Sequence, residues 1–417
     1  MHAVLLNQPF HPDVVATAQM GKDLADALIA RGHQVSAVAS RSIYGQSGAT
    51  LPKRETVDGI EIHRVGFSVF GRKGILARAF DFGLFYALAA FKLLTMKKPD
   101  VVVAFTTPPF IALLGLIVRL FRGSKAVYWV MDLYPDVAVE SGVFGSKSFT
   151  AKFFGWFGRR ILKGSDATVV LGRCMKDRVL AHGAPTDRVH FIPVWSDESG
   201  VTPLPREASP YRAEWALDNA PVVMYSGNFG IGHDCQTILD AMLALKDEPI
   251  RFLFVGAGKR KPEVLAFKEK HALTNVQWRE YVPRDKLSLS LSTGDIHLIS
   301  LKSGMEGLIV PSKLFGIMAA ARPSIFIGEP SSEIARILTE SGCGLVVKPG
   351  DAAGLTEAIR TLARDPGLAK RMGDQGRTAL LGRYDKSTAC GQWAALLEQL
   401  VPSKAPNKDS PQSRRER

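Results

Sequence analysis

The sequence predicts an α/β protein made of two doubly wound domains in succession, each a parallel sheet with helices on both faces. Three observations carry this expectation. The chain has 417 residues, more than a single hydrophobic core accommodates, so two domains of about 200 residues are the default. Short, nearly continuous apolar runs alternate with helical patterns, as buried parallel strands require. The alternation stops at a polar, proline-bearing stretch and then begins again.

In the first half, "AVLLN" (3–7) reads as a buried strand. Residues 16–31 follow as a helix closed by Gly32, and "QVSAVA" (34–39) as the next strand. Further strands are expected at "IEIHRV" (60–65), "DVVVAF" (100–105), "AVYWVM" (126–131), "ATVVL" (167–171) and "VHFIPV" (189–194). The stretch 198–218, rich in proline and polar residues, is expected to be a linker, giving a first domain over 1–197. A second domain over 219–385 has expected strands at "PVVMYSG" (221–227), "RFLFVG" (251–256), "VQWREY" (276–281), "DIHLIS" (295–300), "PSIFIG" (323–328) and "GLVVKP" (344–349). Residues 386–402 are expected to form a terminal helix packed back on the first domain, and 403–417 a disordered basic tail.

With 46% hydrophobic and 22% charged residues, the chain is an ordinary globular protein. Four cysteines without paired spacing and a start that runs straight into the first strand are read as cytoplasmic. The net charge of +13 is uneven: residues 67–163 hold 14 Lys/Arg against 5 Asp/Glu, residues 201–402 hold 24 against 22. That basic region is also the most apolar. It suits an anionic membrane surface better than nucleic acid, and equally a pair of core helices with basic ends. Neither apolar stretch in it is long enough to span a bilayer.

Ligands of doubly wound sheets bind beyond the carboxyl ends of the strands. Three loops of the second domain fall there. "SGNFGIGHD" (226–234) brings Gly227, Asn228, Phe229 and Gly230, whose backbone can approach an anion closely; an ordinary tight turn is the alternative. "GAGKRKPEV" (256–264) brings Lys259, Arg260 and Lys261, to neutralise a diphosphate or simply as a solvated charge run. The third, from Glu306 to Lys313, contains Gly307, Leu308 and Ser312, the last a plausible N-cap. Lys313 in a first helical turn opposes the helix dipole by a few tenths of a kcal/mol or more, which an anionic ligand would offset. Glu306 beside a phosphate site suits hydroxyl donors, and a sugar attached to a diphosphate has both features. The first domain lacks GxGxxG after its first strand, which disfavours a dinucleotide oxidoreductase.

On these residues the chain resembles, over about 1–400, the retaining glycosyltransferases of family 4, which have the GT-B fold. The resemblance is strongest to the bacterial branch that builds surface polysaccharides of colanic-acid or O-antigen type. "FHPDVVATAQMGKDLADALIARGHQV" is similar to that branch's first loop and helix, "TTPPF" and "YWVMDLYPDVAV" to its acceptor-side loops, and "EGLIVPSKLFGIMAAARPSI" to its donor signature. The resemblance implies transfer of a hexosyl or N-acetylhexosaminyl group from a nucleoside diphosphate sugar, UDP favoured, to a lipid-linked or oligosaccharide acceptor with retention of configuration. It implies Glu306 at the donor sugar's hydroxyls and Asp132 near the reaction centre or acceptor; for the charge on the leaving diphosphate the candidates in this sequence are Lys313 and Lys259 with the amides around Asn228, Gly307 and Leu308. Val282 is a further donor-side candidate, and His11, Thr106 and Thr107 stand on the acceptor side. The sequence departs from the family where Gly316 or a neighbour replaces a second glutamate, where Met131 precedes Asp132 in place of histidine, and where the first donor loop lacks its arginine and lysine. No cofactor and no metal are expected, since no DxD or His/Asp/Glu cluster has ligand spacing. Expected partners are a nucleotide sugar, a polyprenyl-linked or glycan acceptor and an anionic inner-membrane surface, with no nucleic acid. The alternatives are a nucleotide-sugar epimerase of the same fold and a non-catalytic membrane-associated sugar-nucleotide binding module.

Overall fold

The computed structural model describes residues 1–43, 50–66, 75–196 and 200–402, the side chains of 75–79 excepted. The tail 403–417, the start of the linker and the first part of the basic region lie outside these residues.

The first half runs β1 (His2–Leu6), α1 (Ala16–Ala30), β2 (Gln34–Ser40), β3 (Arg54–Val57), β4 (Ile60–Val65), α2 (Ile75–Thr95) and β5 (Val101–Ala104). It continues through α3 (Ala112–Arg122), β6 (Lys125–Val130), α4 (Asp136–Glu140), α5 (Phe149–Gly164), β7 (Ala167–Val170), α6 (Arg173–Ala181) and β8 (Val189–Phe191). Its eight strands are ordered β3-β4-β2-β1-β5-β6-β7-β8, with β3 antiparallel on the edge. Strands β1, β5 and β7 are buried at every position, which is why they read as unbroken apolar runs. Strand β3 was not expected: "RETV" is half exposed, and only its pairing with β4 makes it a strand.

The second half runs α7 (Tyr211–Glu214), β9 (Val222–Ser226), α8 (Gln236–Ala244), β10 (Arg251–Val255), α9 (Lys261–Lys270), β11 (Val276–Arg279), α10 (Leu287–Thr293) and β12 (Ile296–Ser300). It ends with α11 (Lys313–Ala319), β13 (Ser324–Ile327), α12 (Glu333–Ser341), β14 (Gly344–Val347), α13 (Ala352–Arg364), α14 (Pro366–Ala379) and α15 (Lys386–Leu400). Its parallel sheet has the order β11-β10-β9-β12-β13-β14. Strand order reverses between β9 and β12, so the loops leaving these two strands flank the crevice where such sheets take ligands. In the first sheet the corresponding reversal lies between β1 and β5.

The stretch ahead of β9 is not a free tether. Ser209 Oγ bonds Leu289 O at 2.8 Å and Thr293 Oγ1 at 2.7 Å, Arg212 reaches Thr293 O at 2.9 Å, and Trp215 and Leu217 are buried against β9 and β10. In α15, Trp393 is fully buried with its ring 4.4 Å from that of Trp129, and Glu398 accepts from His33 at 2.8 Å. The compact units do not coincide with the two sheets: Met1–Trp129, Gly164–Ala167 and the described residues from Cys390 form one, Val130–Lys163 and Thr168–Ala389 the other.

Candidate active site

The loops after β9 and β10 are clasped together. Gly227 N donates to Val255 O at 2.9 Å, Phe229 N to Ala257 O at 2.8 Å, and Arg260 N to Phe229 O at 3.1 Å. A Cβ on Gly256 would overlap the Gly227 carbonyl, and one on Gly258 the Phe229 backbone, both at positive φ. These glycines therefore serve a close backbone approach that no other residue permits. The Phe229 amide is spent in this clasp, and the Phe229 ring is buried against Tyr225 and Phe254, so its place is in the core beneath the loop. Asn228 is exposed, and Gly230 stands beside its side-chain amide.

The members of the basic run differ: Arg260 keeps a buried Nε without a partner and its charge reaches His233. Arg260 is paired with Glu263 at 2.7 Å, and Lys261 with Glu280 while lying over the Trp278 ring. Lys259 is exposed. The positive charge beside Gly227 is that of Lys313. Its Nζ is shielded from solvent, has no hydrogen-bond partner, and stands 3.6 Å above the ring of Tyr225. It lies next to Gly227, where a Cβ would be 4.0 Å from Nζ. The ring quadrupole offsets part of the cost of burying the ammonium, and burial still pulls its pKa well below the ordinary lysine value. His233, which the sequence reading passed over, faces the same group. Its Nδ1 donates to Ser300 O at 2.5 Å, and burial, then the Lys313 charge, push its pKa down to about 3. It is a neutral imidazole at pH 7.

On the loop after β12, the Glu306 Oε2 accepts from Gly304 N at 2.9 Å, and Oε1 lies 3.7 Å from Arg178, which also donates to Gly304 O at 3.1 Å. Gly307 has φ +76, and a Cβ there would lie 2.7 Å from Cys174 O. The Leu308 amide is spent on Met305 O at 3.0 Å, and its carbonyl accepts from Leu133 N at 2.9 Å, so it supplies no amide for a ligand. The cavity beside Glu306 and Gly307 holds ≈ 10 Å³, the size of one water. Ser312 occupies the N-cap position of α11 but is exposed, and its side chain caps nothing. Gly316 faces Leu291, an apolar neighbour that gives no substitute for a carboxylate. Val282 turns its side chain into the cluster around Trp215.

In the first sheet, Thr106 and Thr107 follow β5 and His11 follows β1, at the reversal of strand order. Thr106 Oγ1 is buried without a partner, Thr107 O accepts from Gln8 N at 2.8 Å, and His11 O accepts from the buried Arg64 at 2.6 Å. Asp132 follows β6 with no ion pair among the described residues, and burial pushes its carboxyl up to about 6. Among the described residues no group of three His, Cys, Asp or Glu is placed to hold a metal ion.

Two doubly wound sheets, with a shielded cation and a carboxylate both on the segment that leaves β12 at the switch point of the second, have the architecture of GT-B proteins. Comparison with known proteins places it further. Residues 17–195 match the family described as glycosyl transferase 4-like domain, and residues 220–365 that described as glycosyl transferases group 1. The probable glycosyltransferase WbjE of Pseudomonas aeruginosa is 29% identical over 73% of this chain and 76% of its own. The putative colanic acid biosynthesis glycosyl transferase WcaI of Escherichia coli is 24% identical over 84% and 89%. The crystal structure of Anabaena HepE in complex with UDP-glucose superposes with a TM-score of 0.72 at 13% identity, covering 96% of this chain and 100% of that one. The chain belongs to the glycosyltransferases of this two-domain family.

Proposed function

We propose that the protein transfers a sugar from a nucleoside diphosphate donor, UDP favoured, to a polyprenyl-linked or oligosaccharide acceptor during surface polysaccharide synthesis. The observation that carries the donor side is Lys313, an ammonium without a partner at the switch point of the second sheet. A leaving diphosphate supplies the anion it lacks, and charge that develops on that group is stabilised by a cation already in place and already desolvated. Glu306 is the acceptor of hydrogen bonds from the donor sugar's hydroxyls. Asp132 is placed near the acceptor oxygen, and configuration is retained, as the family resemblance implies. The relative of E. coli supports surface polysaccharide by its description, and the HepE complex supports a UDP-linked donor.

The greasy chain and charged head of a lipid-linked acceptor, and the membrane that holds it, are matched by two helices. On α5, Phe149, Phe153 and Trp156 are exposed, with Lys152, Arg160 and Lys163 beside them and Arg160 stacked 5.0 Å over Trp156. At the end of α3, Leu120 and Phe121 are exposed between Arg119 and Arg122. Apolar side chains interleaved with cations bind the anionic headgroup boundary. Among the described residues no helix is long and apolar enough to cross a membrane.

The test is a thermal-shift panel of UDP, GDP and ADP with their common sugar derivatives, on wild type, Glu306→Ala and Lys313→Ala. Stabilisation by one nucleotide class, weakened by Lys313→Ala, is the expected outcome. Absence of stabilisation by all of them, in folded protein, would replace the reading with a non-catalytic binding module.

A further inference from the structure

A second cavity, of ≈ 260 Å³, lies apart from the Lys313 crevice. Its walls are the turn after β6 with α4 (Leu133, Pro135, Asp136, Val139, Glu140), one face of α5, and His182. Helix α5 turns Ala151, Gly155 and Gly158 toward it, while Phe149, Phe153 and Trp156 of the same helix are exposed. A Cβ at Gly155 would meet only the tip of Arg159, at 3.3 Å. A Cβ at Gly158 would lie 3.1 Å from Tyr134 O, so that glycine serves a close backbone approach, and Gly155 is the one that faces open space.

The lining is chemically mixed. Asp136 Oδ1 and His182 Nε2 are paired at 3.1 Å, and Glu140 and Arg159 stand in the wall with no ion pair to each other. Two carboxylates repel an anion, and the volume lies below the ~300–1,000 Å³ typical of sites for larger ligands. A neutral sugar ring fits both limits: its hydroxyls donate to Asp136 and Glu140 and accept from Arg159, and its C–H face lies against Leu133, Pro135 and Leu162. The cavity also adjoins the donor loop. A Cβ on Gly304 would lie 2.8 Å from Glu140 Oε2, and Gly304 N is the donor that holds Glu306.

We infer that this cavity seats a neutral sugar ring of the acceptor, with the Asp136–His182 pair and Arg159 reading its hydroxyls; the inference rests on the transferase reading above. Saturation-transfer NMR with methyl glycosides of hexoses, N-acetylhexosamines and 6-deoxyhexoses tests it on the whole chain, with wild type, Gly155→Leu and Arg159→Gln side by side. Methyl glycosides carry no lipid tail, so the exposed aromatic face of α5 does not contribute. At least one ring should saturate wild type and bind at least tenfold more weakly to both variants, and the filled cavity of Gly155→Leu should show no loss of melting temperature. If no ring binds at millimolar concentration, or binding is the same in Gly155→Leu, the inference falls. UDP binding measured on the same samples separates the two failures: UDP bound without a cavity-dependent glycoside signal overturns this inference alone, and loss of both overturns the transferase reading as well.

Discussion

Replacing Lys313 by methionine keeps the length and apolar body of the side chain and removes only the charge. In the free protein the Nζ makes no hydrogen bond, so a bond formed to a diphosphate displaces no protein bond. A hydrogen bond to a charged group is worth about 1.5–3 kcal/mol, and about 1.4 kcal/mol is a factor of ten in affinity. Lys313→Met should therefore weaken UDP binding about 10- to 150-fold. The neighbouring Lys259 is exposed, where an ion pair contributes about 0–1 kcal/mol, and Lys259→Met should cost about fivefold at most. Isothermal titration of both variants at matched ionic strength makes the comparison.

The pH dependence provides a second, independent readout of the same group. Burial holds the Lys313 pKa well below its ordinary 10.5, and a bound diphosphate raises it, so above the depressed value binding takes up a proton. Affinity for UDP then falls as pH rises through the depressed pKa, and the fall stops where the bound-state value is reached. The stability of the free protein moves the other way. Between the depressed pKa and 10.5 the unfolded chain binds more protons than the folded one, so stability rises with pH across that window. Lys313→Met should lose both slopes and melt at a higher temperature at neutral pH. A Lys313→Met protein that binds UDP within twofold of wild type, with the pH slope intact, would refute the assignment of the anion site.

Glu306→Gln keeps an oxygen to accept from Gly304 N but no longer offers a carboxylate to hydroxyls; UDP affinity should stay within about threefold while turnover of a UDP-sugar drops about 100-fold, by the scale of a lost transition-state contact. Asp132, with its carboxyl pushed up to about 6, is ionised only above that pH, so kcat/KM of wild type should fall tenfold per unit below it, and Asp132→Asn should show low activity without that limb. Chelation by EDTA should leave turnover unchanged if the Lys313 ammonium carries the charge stabilisation, and a chelator-sensitive rate restored by magnesium or manganese would contradict this. Vesicles with anionic lipid should co-sediment the protein at low salt and release it at high salt, with Phe149→Ala/Trp156→Ala binding more weakly; failure to sediment would remove the membrane from the reading.

Most strands were legible because a strand buried on both faces has no freedom to be polar, as "VVVA" of β5 and "ATVV" of β7 show. Strand β3 was hidden for the converse reason: Arg54 to Val57 bury no full face, and their structure comes from pairing with β4, which periodicity cannot report. At the site, the order of the elements brings the three loops to one sheet edge, while the partners of their side chains come from outside each loop. Lys259, Arg260 and Lys261 look alike in sequence. Glu263 one turn on and Glu280 beyond β11 pair with two of them, and the run itself does not show which. The role of Gly256 and Gly258 was equally invisible, since the backbone they accommodate belongs to another loop. His233 gives no signal at all in one dimension: a histidine becomes a neutral hydrogen-bond donor to Ser300 O only once β9 and β12 are neighbours.

A shielded cation has a physical advantage over exposed ones. Interaction energy between charges scales inversely with the effective dielectric, which falls from about 80 in water to about 20 near protein groups. A single ammonium over the Tyr225 ring can thus stabilise a diphosphate as strongly as several hydrated side chains, and salt screens it far less. The cost falls on the free protein, which must hold that ammonium without a partner and beside a helix start that repels it. A site of this kind is least comfortable when empty, and charge growing on a leaving group relieves it most. That favours the separated diphosphate over the intact donor, which is the direction a transferase needs.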